Sequence, residues 1–359
     1  MLQPKAVVLG TSRADQGIDP SYPGFHFSPV FNLATASQPY KETRRILEML
    51  SDPKYGRLKQ AVIGLDFTMS NHLVPFPADY SEDVFSPWYR ARLLPSVFTL
   101  LDSYRTITQQ EAAPFLQANN QLWRKDGFHI VSGTVGKGHA LLFDESERHY
   151  FRDNYNIPPT CTHDFYPPDV AAPPMDELRN ALATAYQRTL DVRLFISPSH
   201  ARNWEVIAAA GLWSKFEEWK RLLIAINETE AAKAGKPEYP IWDFSGYNSI
   251  TTEQVPLKGD TTTLMRWYWE SSHYKKETGD LVLDRVFGLS ISGMPLPDDF
   301  GVSIDSRNID RHLQDIRAGR MRYRATHADE VAEIEAVARQ VASKKNCTKR
   351  PANTNKPQH

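Results

Sequence analysis

Five short apolar runs, each followed by a polar or amphipathic stretch, constrain this chain most. They are Lys5 to Gly10, Val30 to Ala34, Gln60 to Leu65, Val192 to Ser197 and Ile241 to Phe244. Short β-branched and apolar runs stopped by glycine, aspartate or proline read as buried strands. Helical spacing fills the gaps. Ile46, Leu47 and Leu50 share one face, as do Leu178, Leu182 and Tyr186, and then Phe216, Trp219, Leu223 and Ile226. Leu281 to Phe287 reads as another helix. A last one, with Val331, Ile334, Val337 and Val341 in one stripe, is capped by Thr326 to Asp329. Strand, crossover helix, strand predicts a parallel sheet covered by helices, a three-layer, flavodoxin-like α/β fold with about five strands.

The alternation breaks between residues 67 and 174. Much of the chain's 25 prolines falls in irregular stretches there, such as Phe165 to Asp169. One helix is legible, with Leu94, Val97, Phe98 and Leu101 on a face, and Gly133 to Gly138 reads as a turn. This stretch is expected to be an insertion lying over the sheet as a cap. Residues 1–343 thus read as a single domain with an insertion at 67–174. Residues 344–359 are basic and polar, carry no core residues and predict a disordered tail.

A net charge of -1 over 359 residues provides no global field for nucleic acid, which is not an expected partner. There is no Walker loop and no GxGxxG. No apolar stretch approaches the ~20 residues that span a bilayer. The first residues lead straight into a strand with no visible signal peptide, which leaves a cytosolic protein or an absent N-terminal anchor open. Cys161 and Cys347 lie outside any CxxC and are expected to be free thiols. His129, His139, His149 and His163 are too widely spaced for a metal-ligand pattern, so neither a metal nor a cofactor is expected.

Two distant segments carry chemistry. Ser12 follows the first strand in Gly10-Thr-Ser-Arg13, at the carboxyl edge of a parallel sheet, where sites form. Glu270-Ser-Ser-His273 sets a carboxylate three residues before a histidine. A nucleophile, a base and an orienting acid are the parts of a serine-dependent acyl-transfer site. Arg13, beside the serine, can bind a carboxylate or pair with Asp66. Asp243 and Ser245, with Asn248, follow the fifth strand and are candidates for a second acid and for substrate contacts. His200, after the fourth strand, is expected to be a solvated loop histidine, and Trp267, Tyr268 and Trp269 a buried aromatic cluster.

In that order, Gly10-Thr-Ser-Arg13, Phe31-Asn-Leu-Ala-Thr-Ala-Ser37, Gly64-Leu-Asp66 and Glu270-Ser-Ser-His273 resemble the SGNH (GDSL-like) hydrolase superfamily. The resemblance covers roughly half the chain. It is closest to the divergent branch of bacterial cell-surface and exopolysaccharide acylation, with its AlgX/AlgJ-like and DltD-like proteins. It implies Ser12 as nucleophile, His273 as general base and Glu270 in place of the usual aspartate. It implies a backbone oxyanion donor near Ser37, where the family has glycine, in the block containing Asn32. At the third block the family's oxyanion asparagine is replaced by Asp66, which cannot donate unless protonated; Asn32 or another group would have to serve. The implied function is an esterase or O-acyltransferase working on acyl, foremost acetyl, esters of a carbohydrate polymer. The implied setting is the cell envelope or periplasm, among membrane-associated polysaccharide assembly proteins. The alternative is a non-catalytic SGNH-like polysaccharide-binding or scaffold protein of an export system.

Overall fold

The structure, a computed structural model, describes residues 3–54, 56–76, 123–131, 137–344 and 347. Six strands form one sheet: β1 (Ala6–Leu9), β2 (Val30–Asn32), β3 (Gln60–Leu65), β4 (Asp191–Ile196), β5 (Ile241–Asp243) and β6 (Val302–Ile304). Their order is β2-β1-β3-β4-β5-β6. The first five are parallel and β6 runs antiparallel to β5. The expected α/β architecture is therefore present, with a sixth strand that the sequence did not signal. Val302-Ser-Ile304 is short and exposes two of its three residues, as suits an edge strand.

Strand periodicity sorts the core into two layers. Val7 and Leu9, Ala61, Ile63 and Leu65, and Val192, Leu194 and Ile196 project to one face. There they meet α2 (Tyr40–Ser51), α4 (Pro174–Gln187) and α6 (Trp213–Ala234). Val8, Val62 and Phe195 project to the other, against α1 (Ser12–Gly17) and α7 (Lys276–Phe287). A strand places successive side chains on opposite faces, so near-continuous apolar runs require cover on both sides. Between α2 and α4 lie α3 (His139–His149) and a π-helical turn, Tyr150–Asn154. The chain continues through α5 (Ala201–Ala209) and closes with α8 (Ile309–Thr326) and α9 (Ala328–Ala342).

Two expectations need correction, and one helix is additional. Thr326 ends α8 rather than capping α9, whose N-cap, His327, makes no side-chain cap bond. The helix α8 was not anticipated, because its apolar stripe is thin: Ile309, Leu313, Ile316 and Tyr323 are buried, and arginines fill much of the rest. Cys161 and Cys347 are not free but form a disulfide across 186 residues. α9 carries the chain end back over Phe151, Ala209 and Ala210, where Cys161 waits, a proximity that sequence separation hides. The expected helix at Leu94–Leu101 lies outside the described residues, as do residues 133–136 of the expected turn. So does the tail beyond Lys344, apart from Cys347.

Candidate active site

β1 is followed by Gly10, whose φ of +139° favours glycine and where an added Cβ would lie 2.9 Å from the Gly64 carbonyl oxygen. This close approach lets the chain turn sharply into α1. Thr11 is the N-cap, its hydroxyl accepting from the Arg13 N–H, and Ser12 opens the helix at the carboxyl edge of the sheet. First-turn N–H groups have no intrahelical acceptor, so that of Ser12 is available to an incoming oxygen.

The histidine arrives on a tight loop before α7. Tyr268 pairs with Tyr274 across it, and Trp269 N–H donates to the His273 carbonyl at 3.0 Å. Within the loop Glu270 accepts from the backbone N–H groups of Ser272 (2.9 Å) and His273 (2.8 Å), which fixes its carboxylate beneath the imidazole. Glu270 hydrogen-bonds His273 Nδ1, and His273 Nε2 lies 2.7 Å from Ser12 Oγ. Ser12, His273 and Glu270 thus form one hydrogen-bonded chain. Burial alone would raise the Glu270 pKa. The adjacent His273, the Ser146 hydroxyl and the loop N–H groups outweigh it and hold the carboxyl at about 2.

A buried strut stands behind this chain. Arg13 pairs with Asp66 at 3.1 Å, donates from Nε to the Ser272 carbonyl at 3.3 Å, and lies over the Tyr150 ring. Burial disfavours its charge, yet Asp66 and the neighbouring Tyr150, Tyr155 and Glu270 raise its pKa above the ordinary arginine value. Asp66 also accepts from the Thr11 hydroxyl at 2.6 Å. Tyr150 OH and Ser272 Oγ are 2.5 Å apart, and Ser199 Oγ donates to the Ser272 carbonyl at 3.2 Å. The exits of β1, β3 and β4 are thereby tied to the histidine loop. Of the two options for Arg13, the structure contains the pairing with Asp66.

The other sequence candidates separate into two groups. Ser37 sits at φ +56°, the left-handed region that suits the glycine expected there. Its turn is clasped to β1: Thr35 N–H donates to the Gly10 carbonyl at 3.1 Å, and Gly10 N–H to Gln38 Oε1 at 2.8 Å. Asn32 is not brought into an oxyanion position. Its amide donates to the carbonyls of Ala14 and Ile18, both at 2.9 Å, and its Oδ1 accepts from Ala34, so it anchors α1. Asp243 and Ser245 lie apart from the triad. Lys220 Nζ reaches Asp243 at 2.7 Å and Ser245 Oγ at 2.6 Å, and His312 Nε2 reaches Asp243 at 2.8 Å. That buried cluster closes a cleft of about 430 Å³ at the end of β5, and Asp243 is not a second acid for His273. His200 is buried rather than solvated, accepting from Arg202 N–H and holding the Ser271 carbonyl through its own N–H. Burial pushes its pKa down to about 3.

Of the aromatic run only Tyr268 is fully buried; Trp267 and Trp269 are half-buried beneath Arg266 and Lys275. The four widely spaced histidines named above go to separate partners. His129 meets Asp15, His139 the Trp269 carbonyl, His149 Asp153, and His163 the Ser70 hydroxyl. Among the described residues no three metal-ligating side chains converge. Sequence reasoning missed Tyr150, Ser272 and Asp15, whose only signal was position: two flank elements of the insertion or loop, and Asp15 follows Ser12 by three.

Comparison with family models, curated proteins and solved structures finds no match to this chain.

Proposed function

We propose that this chain is a serine esterase or O-acyltransferase of the SGNH type, acting on acyl, foremost acetyl, esters of a carbohydrate polymer. The observation that carries the reading is the hydrogen-bonded series from Ser12 Oγ to His273 Nε2 (2.7 Å) and from His273 Nδ1 to Glu270. The order of the parallel strands, β2-β1-β3-β4-β5, supports a flavodoxin-like sheet with its site at the carboxyl edge. The saccharide class rests on the resemblance of the sequence blocks.

In this mechanism Ser12 Oγ attacks the ester carbonyl carbon and its proton passes to His273 Nε2. The bond to the leaving oxygen then breaks, and that oxygen takes the proton. Water or a sugar hydroxyl, deprotonated by His273, attacks the acyl-Ser12 ester and frees the serine, which recovers its proton. Glu270 keeps the Nδ1–H tautomer and stabilises the imidazolium. Oxyanion binding falls to the backbone N–H groups of Ser12 and Ser37. Asp66 and Asn32 are committed elsewhere, and lack of one donor costs on the order of 2.7–4 kcal/mol, so turnover is slow. The Cys161–Cys347 disulfide fits an oxidising compartment such as the cell envelope, where polysaccharide assembly proteins would be partners.

The test is nitrophenyl acetate turnover by the parent protein and by Ser12→Ala. Turnover that disappears with the hydroxyl supports the enzyme. Equal rates from both proteins, with saccharide binding retained, support the non-catalytic alternative.

A further inference from the structure

Asp15 stands one helical turn after Ser12, so the two side chains share a face of α1. Its carboxylate is buried among three groups. His129 Nδ1 lies at 2.8 Å, the Trp123 side chain hydrogen-bonds to it, and His273 of the triad is close enough to act on it electrostatically. Trp123 and His129 face one another across a short antiparallel bridge and stack at 4.4 Å with their planes 22° apart. The segment is fastened to the sheet. Asn32 N–H donates to the Asp126 carbonyl at 2.8 Å, His129 N–H to the Asp15 carbonyl at 3.3 Å, and Arg124 pairs with Asp19 at 2.6 Å.

Trp123 is nonetheless 55% exposed. One face of the indole lies on His129 and its N–H edge is satisfied by Asp15, so the remaining surface is held open in a fixed orientation. A large aromatic with its polar atom already bonded presents a rigid apolar plane to a ligand. Asp15 and His129 put polar groups beside it. That setting does not suit a lipid chain or an apolar partner, which would need a contiguous apolar patch. It suits a molecule with an apolar C–H face and hydroxyl edges.

We propose that Trp123 is the stacking platform for a pyranose ring next to the ester that enters Ser12, with Asp15 and His129 holding the indole in place. This rests on the reading of Ser12 as the acylated residue, and it assigns the saccharide side of the site to particular residues.

The experiment uses the full chain carrying Ser12→Ala, so that nothing turns over. Xylohexaose, cellohexaose and a β-1,4-linked N-acetylglucosamine hexamer are the probes, read by saturation-transfer NMR and calorimetry. At least one is expected to bind. Adding Trp123→Ala weakens that binding about tenfold or more, the equivalent of 1.4 kcal/mol, while Trp123→Phe keeps most of it. Binding by none of the three, or binding indifferent to Trp123→Ala in a protein with an unchanged melting temperature, overturns the proposal. The catalytic reading is judged separately by nitrophenyl acetate, a substrate without a sugar, so each can fail alone.

Discussion

Asp66→Asn separates two accounts of the residue that departs from the resembled family. In one, Asp66 is a spoiled oxyanion donor, and asparagine restores an amide worth about 10²–10³ in kcat. In the other, it is the counter-ion of the Arg13 strut. The structure favours the second: the pair is 3.1 Å apart, with side chains only 4% and 3% exposed, and Thr11 takes the second carboxylate oxygen. Removing one partner of a buried pair costs about 3–5 kcal/mol, because the remaining charge stays desolvated. With roughly 2.1 cal/mol/K of unfolding entropy per residue, a 359-residue chain would melt about 4–7 °C lower. Thermal melts by circular dichroism and nitrophenyl acetate kcat, measured well below the melting range, give both quantities. A lowered melting temperature without a rise in kcat is expected. A tenfold or greater gain in kcat with an unchanged melting temperature refutes the strut and returns Asp66 to the oxyanion hole.

Glu270→Gln should lower kcat by up to about 10⁴-fold, since the imidazole loses the acceptor that sets its tautomer; stopped-flow ester kinetics checks this, and an unimpaired variant would remove Glu270 from the mechanism. The folded carboxyl is held at about 2 against an ordinary 4.5, so its contribution to stability is complete above about pH 5 and is lost as pH falls through 2. Denaturant melts of the parent and of Glu270→Gln should accordingly converge toward pH 2 and diverge above pH 5. Cys347→Ser, or reduction of the disulfide, frees a 186-residue separation. It should destabilise by up to about 5 kcal/mol in the chain-entropy limit, seen as a lower melting temperature under reductant. An identical melt with and without reductant would contradict a structural role.

The five parallel strands were legible in the sequence as short apolar runs, most clearly β1 and β3, which are buried at every residue, and also β2 and β5, which are partly exposed. β1 and β3 have no polar alternation to confuse and are followed by Gly10 and Asp66, whereas β4 opens on alternating Asp191 and Arg193 before its buried Leu194-Phe-Ile196. β6 and α8 escaped because an edge strand and a charge-rich helix bury too few side chains to leave a periodic signal. In the site, Ser12, Glu270 and His273 stood out because nucleophile, acid and base have a known order and local spacing. Asn32 and Asp243 were misplaced for the opposite reason. A buried polar group after a strand reads the same whether it meets a substrate or a neighbouring backbone, and only the partners decide. The Cys161–Cys347 pair likewise depends on how α9 returns, which no local pattern encodes.

Covalent capture tests the central claim most directly. A fluorophosphonate ester phosphonylates a serine, with loss of fluoride, only when an adjacent base activates it. Incubation followed by intact-mass measurement and peptide mapping should show one adduct, on Ser12, absent from Ser12→Ala and strongly slowed in His273→Ala. A parent protein that stays unlabelled, or labelling at another serine that survives both substitutions, would contradict an activated nucleophile at residue 12.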